Sequence, residues 1–283
     1  MSEIKILRSV SDLRAQVAAW KAHGLRVGLV PTMGALHGGH LSLVDQISQK
    51  ADRIIVSIFV NPTQFAAHED LNTYPRQEAD DLQALAGRAA DCVYAPPASE
   101  IYPEGFATAI HMQGPALGLE TDDRPHFFGG VALVVAKLFT QSQADVAIFG
   151  EKDYQQLVII KKIIQDLNLN IKVVSVKTVR DQYGLALSSR NKLLSVKQLN
   201  IARKINHNLK KVNLYNGKAS TYLISFLKKE MEKDGIINIE YLEIRSESEL
   251  KKLKEFKTKD TRVFIAVNIG KIRLIDNFKW EKF

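Results

Sequence analysis

Two histidines three residues apart, His37 and His40, stand in the run Val30-Pro31-Thr32-Met33-Gly34-Ala35-Leu36-His37-Gly38-Gly39-His40-Leu41. The run reads as a strand passing through glycines into a helix, and its physics suits a triphosphate. Glycines let the backbone approach an anion closely, a helix N-terminus offers unpaired N–H groups with a favourable dipole, and two imidazoles can donate to phosphate oxygens. A structural or incidental His-x-x-His pair has the same spacing. Metal ligation is poorly supported, because no cysteine cluster or third ligand accompanies the pair and His23, His68, His111, His126 and His207 are scattered. Two further segments could handle phosphate. Gly150-Glu151-Lys152-Asp153 puts a lysine point charge after a strand end and a glycine, with Asp153 placed to cap the next helix or to accept from a ribose hydroxyl. Ser188-Ser189-Arg190 supplies two hydroxyls and a fork of fixed donors. Taken alone, each of these is also an ordinary surface loop.

The elements that must position these residues are legible from spacing. Apolar runs of strand length at Val27–Pro31, Ile54–Val60, Val93–Ala95, Val146–Gly150 and Ile171–Val179 alternate with amphipathic segments, which predicts an α/β, Rossmann-like architecture with a parallel sheet. Leu41, Val44 and Ile47 share one helical face, as do Leu157, Ile160, Ile163 and Ile164. Open sheets of this kind bind ligands beyond the carboxyl ends of their strands, so Pro31–His40 and Gly150–Asp153 are expected to converge on one crevice. After Asn191 the texture changes to Lys-rich helices over Val196–Val212 and Thr221–Asp234, then strands at Ile239–Ile244, Arg262–Val267 and Ile272–Asp276. This reads as a smaller α+β domain, with residues 1–183 forming the larger domain and residues 184–283 the smaller, and a cleft between them. The boundary is placed by turn-like Asp181-Gln182-Tyr183-Gly184 and polar Ser188-Ser189-Arg190-Asn191.

Composition limits the function classes. The 283 residues are 46% hydrophobic and 25% charged, with a net charge of +8, which excludes disorder and leaves ample apolar material for a core. Residues 1–150 carry 11 basic and 16 acidic side chains, whereas residues 151–283 carry 28 and 15. A basic half admits a polyanionic partner, but its lysine pairs (Lys210-Lys211, Lys228-Lys229, Lys251-Lys252) lie among glutamates without an aromatic stacking ladder. Solvated helix faces are expected, and no nucleic acid. The single cysteine, Cys92, lies in an apolar strand-like run and reads as an inert buried thiol in a reducing compartment. Apolar stretches fall far short of the roughly 20 residues that span a bilayer, and no leader is visible, so a cytoplasmic protein with no membrane partner is expected.

The His-x-Gly-His element resembles that of the nucleotidyltransferase superfamily. The wider sequence resembles the pantothenate synthetase (pantoate–beta-alanine ligase) family through Ser57-Ile58-Phe59-Val60-Asn61-Pro62-Thr63-Gln64-Phe65, Phe149-Gly150-Glu151-Lys152-Asp153-Tyr154-Gln155-Gln156-Leu157 and Leu185-Ala186-Leu187-Ser188-Ser189-Arg190-Asn191, with Arg273-Leu274-Ile275-Asp276-Asn277 as a weaker match. These motifs occur in the family's order. The resemblance implies ATP-dependent condensation of (R)-pantoate with beta-alanine through a pantoyl-adenylate, giving pantothenate, AMP and diphosphate.

It also implies residue roles. His37, His40 and Lys152 would be catalytic, His40 as proton donor or as a hydrogen-bond stabiliser of developing charge. Met33, Gly34, Ala35, Leu36, His37, Gly38, Gly39, His40, Gly150, Glu151, Lys152, Asp153, Val179, Leu187, Ser188, Ser189 and Arg190 would bind ATP. Gln64 and Gln156 would hold pantoate, since an amide offers both donor and acceptor to its hydroxyls and carboxylate. Met33, Pro31 and Val134 could pack its geminal methyls, although a Met and a Val near apolar strands are core by default. Mg2+ would bridge ATP phosphates, with Asp80 of the acidic run Glu78-Ala79-Asp80-Asp81 nearby. A homodimer is implied, and the Ser188–Asn191 segment would close over the nucleotide, making the smaller domain a lid. One stretch departs from the family's pattern: Arg124-Pro125-His126-Phe127-Phe128-Gly129-Gly130-Val131 has Phe127 where the family often carries histidine, and His126 is not assigned a catalytic role. Its glycines are expected to make a tight turn ahead of a helix over Val131–Thr140. Two competing readings remain: an adenylyltransferase or RNA-linked activating enzyme using the basic half, and a nucleotide-sensing module without catalysis.

Overall fold

The structure is a computed structural model that describes residues 4–65, 71, 74–214, 219–255 and 260–280. By contact density the chain divides into two units: one comprises Met1–Glu151 and Ile159–Lys177, the other Lys152–Val158 and Thr178–Phe283.

The first unit is a parallel sheet flanked by helices. In chain order it contains β1 (Lys5–Leu7), α1 (Val10–Ala22), β2 (Val27–Thr32), α2 (Gly38–Ile47), β3 (Arg53–Ile58), α3 (Glu78–Leu85), β4 (Cys92–Tyr94), α4 (Ala98–Ile101), α5 (Glu120–Asp123), α6 (Phe127–Ser142), β5 (Val146–Gly150) and β6 (Lys172–Val176). Between β5 and β6 runs α7 (Tyr154–Asp166), whose residues up to Val158 group with the second unit. The six strands lie in the order β1-β4-β3-β2-β5-β6, and every pair is parallel. Sheets covered on both faces need near-continuous apolar strands, and β2, β3 and β5 supply them: Leu29, Val30, Ile55, Val56, Ala147 and Ile148 are fully buried. Val44 and Ile47 of α2 and Leu85 of α3 join the core on one side of this sheet. Cys92 is 1% exposed, and burial pushes its thiol up to about 12, so it is an inert core residue.

One element went unread and two local expectations need correction. The edge strand β1 was not legible, because three residues are too few to show a period. The strand after Arg53 stops at Ile58 rather than Val60, since Asn61 caps a 3-10 turn over Pro62–Gln64. Helix α6 starts at Phe127, so Gly129 and Gly130 lie inside it rather than in a turn before it. Their purpose is close approach: a Cβ on Gly130 would stand 2.3 Å from the Thr63 carbonyl oxygen, and one on Gly129 2.8 Å from that of Ile110.

The second unit is α+β. It holds α8 (Val196–Ala202), α9 (Lys204–Lys210), α10 (Ser220–Lys233) and an antiparallel sheet β7 (Asn238–Arg245), β8 (Arg262–Ile269) and β9 (Ile272–Lys279), in that order. Ser195 and Gln198 form a reciprocal capping box that starts α8. The single helix expected over 196–212 is broken at Arg203, which lies between α8 and α9. Ile205, Leu209, Leu223, Leu227 and Met231 pack with Leu242, Ile265, Val267 and Leu274 in one apolar core. Residues from Thr178 onward group with the second unit, where they form a hairpin held to β9 by Arg180.

Candidate active site

In the first unit the decisive feature is topological. Strand β2 has β3 on one side and β5 on the other, so the direction of winding reverses between β2 and β5, and the carboxyl ends of these strands at Thr32 and Gly150 are where sheets of this kind bind ligands. The loop leaving β2 is built to hold an unusual backbone. The buried Thr32 hydroxyl donates to the Ser57 carbonyl at 2.7 Å and accepts the Gly34 N–H at 3.1 Å. Gly34 has φ +79, and any Cβ there would stand 2.9 Å from an Asp81 oxygen, so glycine is required on two counts. Ala35 also lies in the left-handed region, with φ +51.

Asp81 from α3 holds this turn. Its carboxylate accepts the Ala35 N–H at 3.0 Å and the Leu36 N–H at 2.7 Å while only 3% exposed. Desolvation pushes its pKa up, and the two amide bonds oppose that shift. Sequence reading pointed to Asp80 in this run. Asp80 is exposed, and the inward-facing carboxylate is its neighbour. Helical phase was the one available signal, because Asp81, Leu82 and Leu85 turn toward the interior together.

His37 caps α2. Its Nδ1 accepts the Gly39 N–H at 3.1 Å, which places the proton of the neutral ring on Nε2 and makes that edge a donor. The His40 ring lies 4.1 Å from it, centroid to centroid, tilted by 32°. Two imidazoles at a helix N-terminus thus share one face of the loop, an arrangement suited to phosphate oxygens. Beyond β5, Glu151 accepts from the Ser175 hydroxyl at 3.3 Å.

Gln64 ends the Pro62–Gln64 turn and is 8% exposed. Asn61 holds that turn: its oxygen accepts from Thr63 Oγ1 at 3.0 Å and Tyr102 at 2.8 Å, and its amide donates to the Gly130 carbonyl at 3.2 Å. Sequence reading gave no role to Asn61 or Tyr102, whose partners are remote in the chain. Arg124 reaches the Gln64 carbonyl at 3.5 Å, pairs with Glu120 at 3.2 Å and lies over the Phe127 ring at 3.9 Å. Phe127 at the divergent position therefore stacks under a cation, and His126 is exposed. Of the apolar candidates, Val134 is buried core, while Pro31 and Met33 are half-buried.

The second unit carries the other phosphate-handling candidates. Lys152 is 22% exposed and lies 3.5 Å from the carboxylate of Asp153, itself half exposed. Gln156, one turn into α7, is half-buried. The Asp181–Gly184 turn closes with Asp181 accepting the Tyr183 and Leu185 N–H groups at 2.9 Å, and Leu187 N–H bonds the Val179 carbonyl at 2.9 Å. This hairpin delivers Ser188, which caps a 3-10 turn over Ser189–Leu193 by accepting the Arg190 N–H at 3.3 Å. Among the described residues, Arg190 has no carboxylate partner, and Ser188, Ser189 and Arg190 are all half-buried.

No group of three or more His, Cys, Asp or Glu residues that could hold a metal ion occurs among the described residues.

Residues 5–279 match the family Pantoate-beta-alanine ligase. The chain belongs to that family. A pantothenate synthetase of Rhodospirillum rubrum is 47% identical over 279 residues, covering 98% of this chain and 99% of that one. The crystal structure of pantothenate synthetase from Thermus thermophilus is 36% identical and superposes with a TM-score of 0.86, covering 97% of this chain and 99% of that chain. A pantoate-beta-alanine ligase from Francisella tularensis, complexed with beta-gamma ATP and beta-alanine, gives a TM-score of 0.82 at 36% identity, with 97% of each chain covered. The parallel sheet with a small antiparallel sheet after it is thus the architecture of pantoate-beta-alanine ligases. Among the described residues, no helix is long and apolar enough to cross a membrane.

Proposed function

We infer that this chain catalyses the reaction of its family, ATP-dependent condensation of pantoate with beta-alanine, in two half-reactions at the loop held by Asp81. In the first, a pantoate carboxylate oxygen attacks the α-phosphorus of ATP. The bond to the bridging oxygen breaks, and diphosphate leaves with its electron pair. In the second, the beta-alanine amine attacks the acyl carbon of pantoyl-adenylate, AMP departs, and the nitrogen loses a proton to form the amide.

The side chains divide this work by their chemistry. His37, through Nε2–H, and His40 donate to phosphate oxygens and stabilise charge that builds on diphosphate. Gly34, Ala35, Leu36, Gly38 and Gly39 bring backbone close to the nucleotide, with Met33, Gly150, Glu151, Asp153, Val179 and Leu187 lining its path. Lys152, Ser188, Ser189 and Arg190 meet the β- and γ-phosphates. Gln64 and Gln156 orient pantoate, and a Mg2+ ion bound with ATP would neutralise charge on its phosphates, with Asp80 as the carboxylate that could help hold it. In this reading the second unit acts as a lid, and the enzyme works as a cytoplasmic homodimer. The observation that carries the proposal is the His37–His40 pair at the N-terminus of α2, beyond the reversal point of a sheet whose chain matches the ligase family from residue 5 to 279. The Francisella relative, complexed with beta-gamma ATP and beta-alanine, supports both substrate classes.

The test is isotope exchange between diphosphate and ATP. Exchange is expected to require pantoate and to proceed without beta-alanine, with net AMP formed only when both are present. Exchange at an unchanged rate without pantoate overturns the reading.

A further inference from the structure

The Arg273–Asn277 segment has no role in the chemistry above, yet two of its residues are buried polar groups with several partners. Asp276 is 5% exposed and Asn277 4%. The Asp276 carboxylate takes both guanidinium nitrogens of Arg180, at 2.6 and 2.8 Å, and Arg180 also donates to the Gly184 and Asn277 carbonyls at 3.1 and 3.4 Å. Arg180 pairs with Ala186 across the hairpin that leads to Ser188–Arg190, so Asp276 grips the base of that segment. Asn277 does something different. Its amide nitrogen donates to the Lys152 carbonyl at 2.9 Å, while its amide oxygen accepts from Arg262. Arg262 is itself fixed, paired with Glu247 at 2.8 Å and lying 3.7 Å over the ring of Tyr154, two residues from Lys152. All of these residues belong to the second unit.

We propose that Asp276 and Asn277 are positioning residues for ATP activation, two adjacent residues within β9 fixing both the Lys152 turn and the Ser188–Arg190 segment in a common frame. The inference rests on the proposed reading that Lys152 and Arg190 meet the phosphates, and it adds what holds them there. The physical case is one of lost freedom. An isolated lysine on a short turn keeps several rotamers and a mobile backbone, and a carbonyl pinned by a buried amide removes the backbone part of that freedom.

The experiment compares diphosphate exchange in Lys152→Ala, Asn277→Asp and the double variant, using full-length protein. Asn277→Asp keeps an oxygen for Arg262 and abolishes the donation to Lys152, so the buried pair of Arg262 retains an acceptor. Lys152→Ala is expected to lower exchange by about 10²–10³-fold. Asn277→Asp is expected to lower kcat for exchange by about 10–10²-fold with KM for pantoate unchanged, and to leave aminolysis of supplied pantoyl-adenylate near the wild-type rate. In the double variant, exchange should fall no further than in Lys152→Ala, because the two residues act as one. Additive losses, or equal losses in both half-reactions, overturn the positioning role. An unaffected Lys152→Ala overturns the underlying reading instead. Asp276→Asn, paired with Arg190→Ala in the same design, gives a second and independent cycle should Asn277→Asp fold poorly.

Discussion

At the scale of single residues, the site separates groups that act from groups that hold. His40→Ala and Lys152→Ala should each slow adenylation by about 10²–10³-fold, the usual loss on deleting one preorganised donor, with circular dichroism unchanged. Asp81→Asn should behave differently. It turns an amide N–H₂ toward one of two backbone donors, so a buried N–H loses its acceptor at a cost of about 1–3 kcal/mol, read in urea denaturation. Exchange should fall with it, since Ala35 at φ +51 has lost half of what keeps it there. The histidines were legible because glycines flank them in sequence. Asp81 was harder to find, because Glu78-Ala79-Asp80-Asp81 offers three carboxylates and only its helical phase with Leu82 and Leu85 marks the one that turns inward.

At the scale of elements, the long apolar strands β2, β3 and β5 and the amphipathic face of α2 could be read directly, because each is a run long enough to show its period. The three-residue β1 could not, nor could the break at Arg203 between α8 and α9, where hydrophobic spacing continues across both helices. The glycines of α6 were misread for a physical reason: a glycine that permits a turn and one that admits a neighbouring carbonyl look alike in sequence. The structure separates them, and a mutation can test the distinction. Gly130→Ala drives a methyl into the Thr63 carbonyl, so the Pro62–Gln64 turn must move. A destabilisation of about 1–3 kcal/mol in chemical denaturation and a raised KM for pantoate, with KM for ATP nearly unchanged, are the expected results. An unchanged KM for pantoate would detach Gln64 from that substrate.

At the scale of the whole molecule, part of the basic half's charge is taken up by pairing within that half. Glu230 is held down to about 2 by hydrogen bonds from Lys211 and Lys233, Lys252 reaches Glu243 at 2.8 Å, and Lys279 reaches Glu247 at 2.8 Å. A half-chain rich in lysine therefore commits several of its cations to its own glutamates. Gel-shift titration with tRNA at physiological salt should show no retained complex, and a steeply salt-dependent affinity would revive the reading of an RNA-linked enzyme.

The bond from Asn277 to the Lys152 carbonyl joins residues 125 positions apart. During synthesis on the ribosome, the His37–His40 loop, the Lys152 turn and the Ser188–Arg190 segment are therefore all made well before the amide that pins the Lys152 turn. Such a distant clasp orders events in time: a nascent chain can wind its parallel sheet early, yet the turn that carries Lys152 waits for β9 to be translated and to pair with β8.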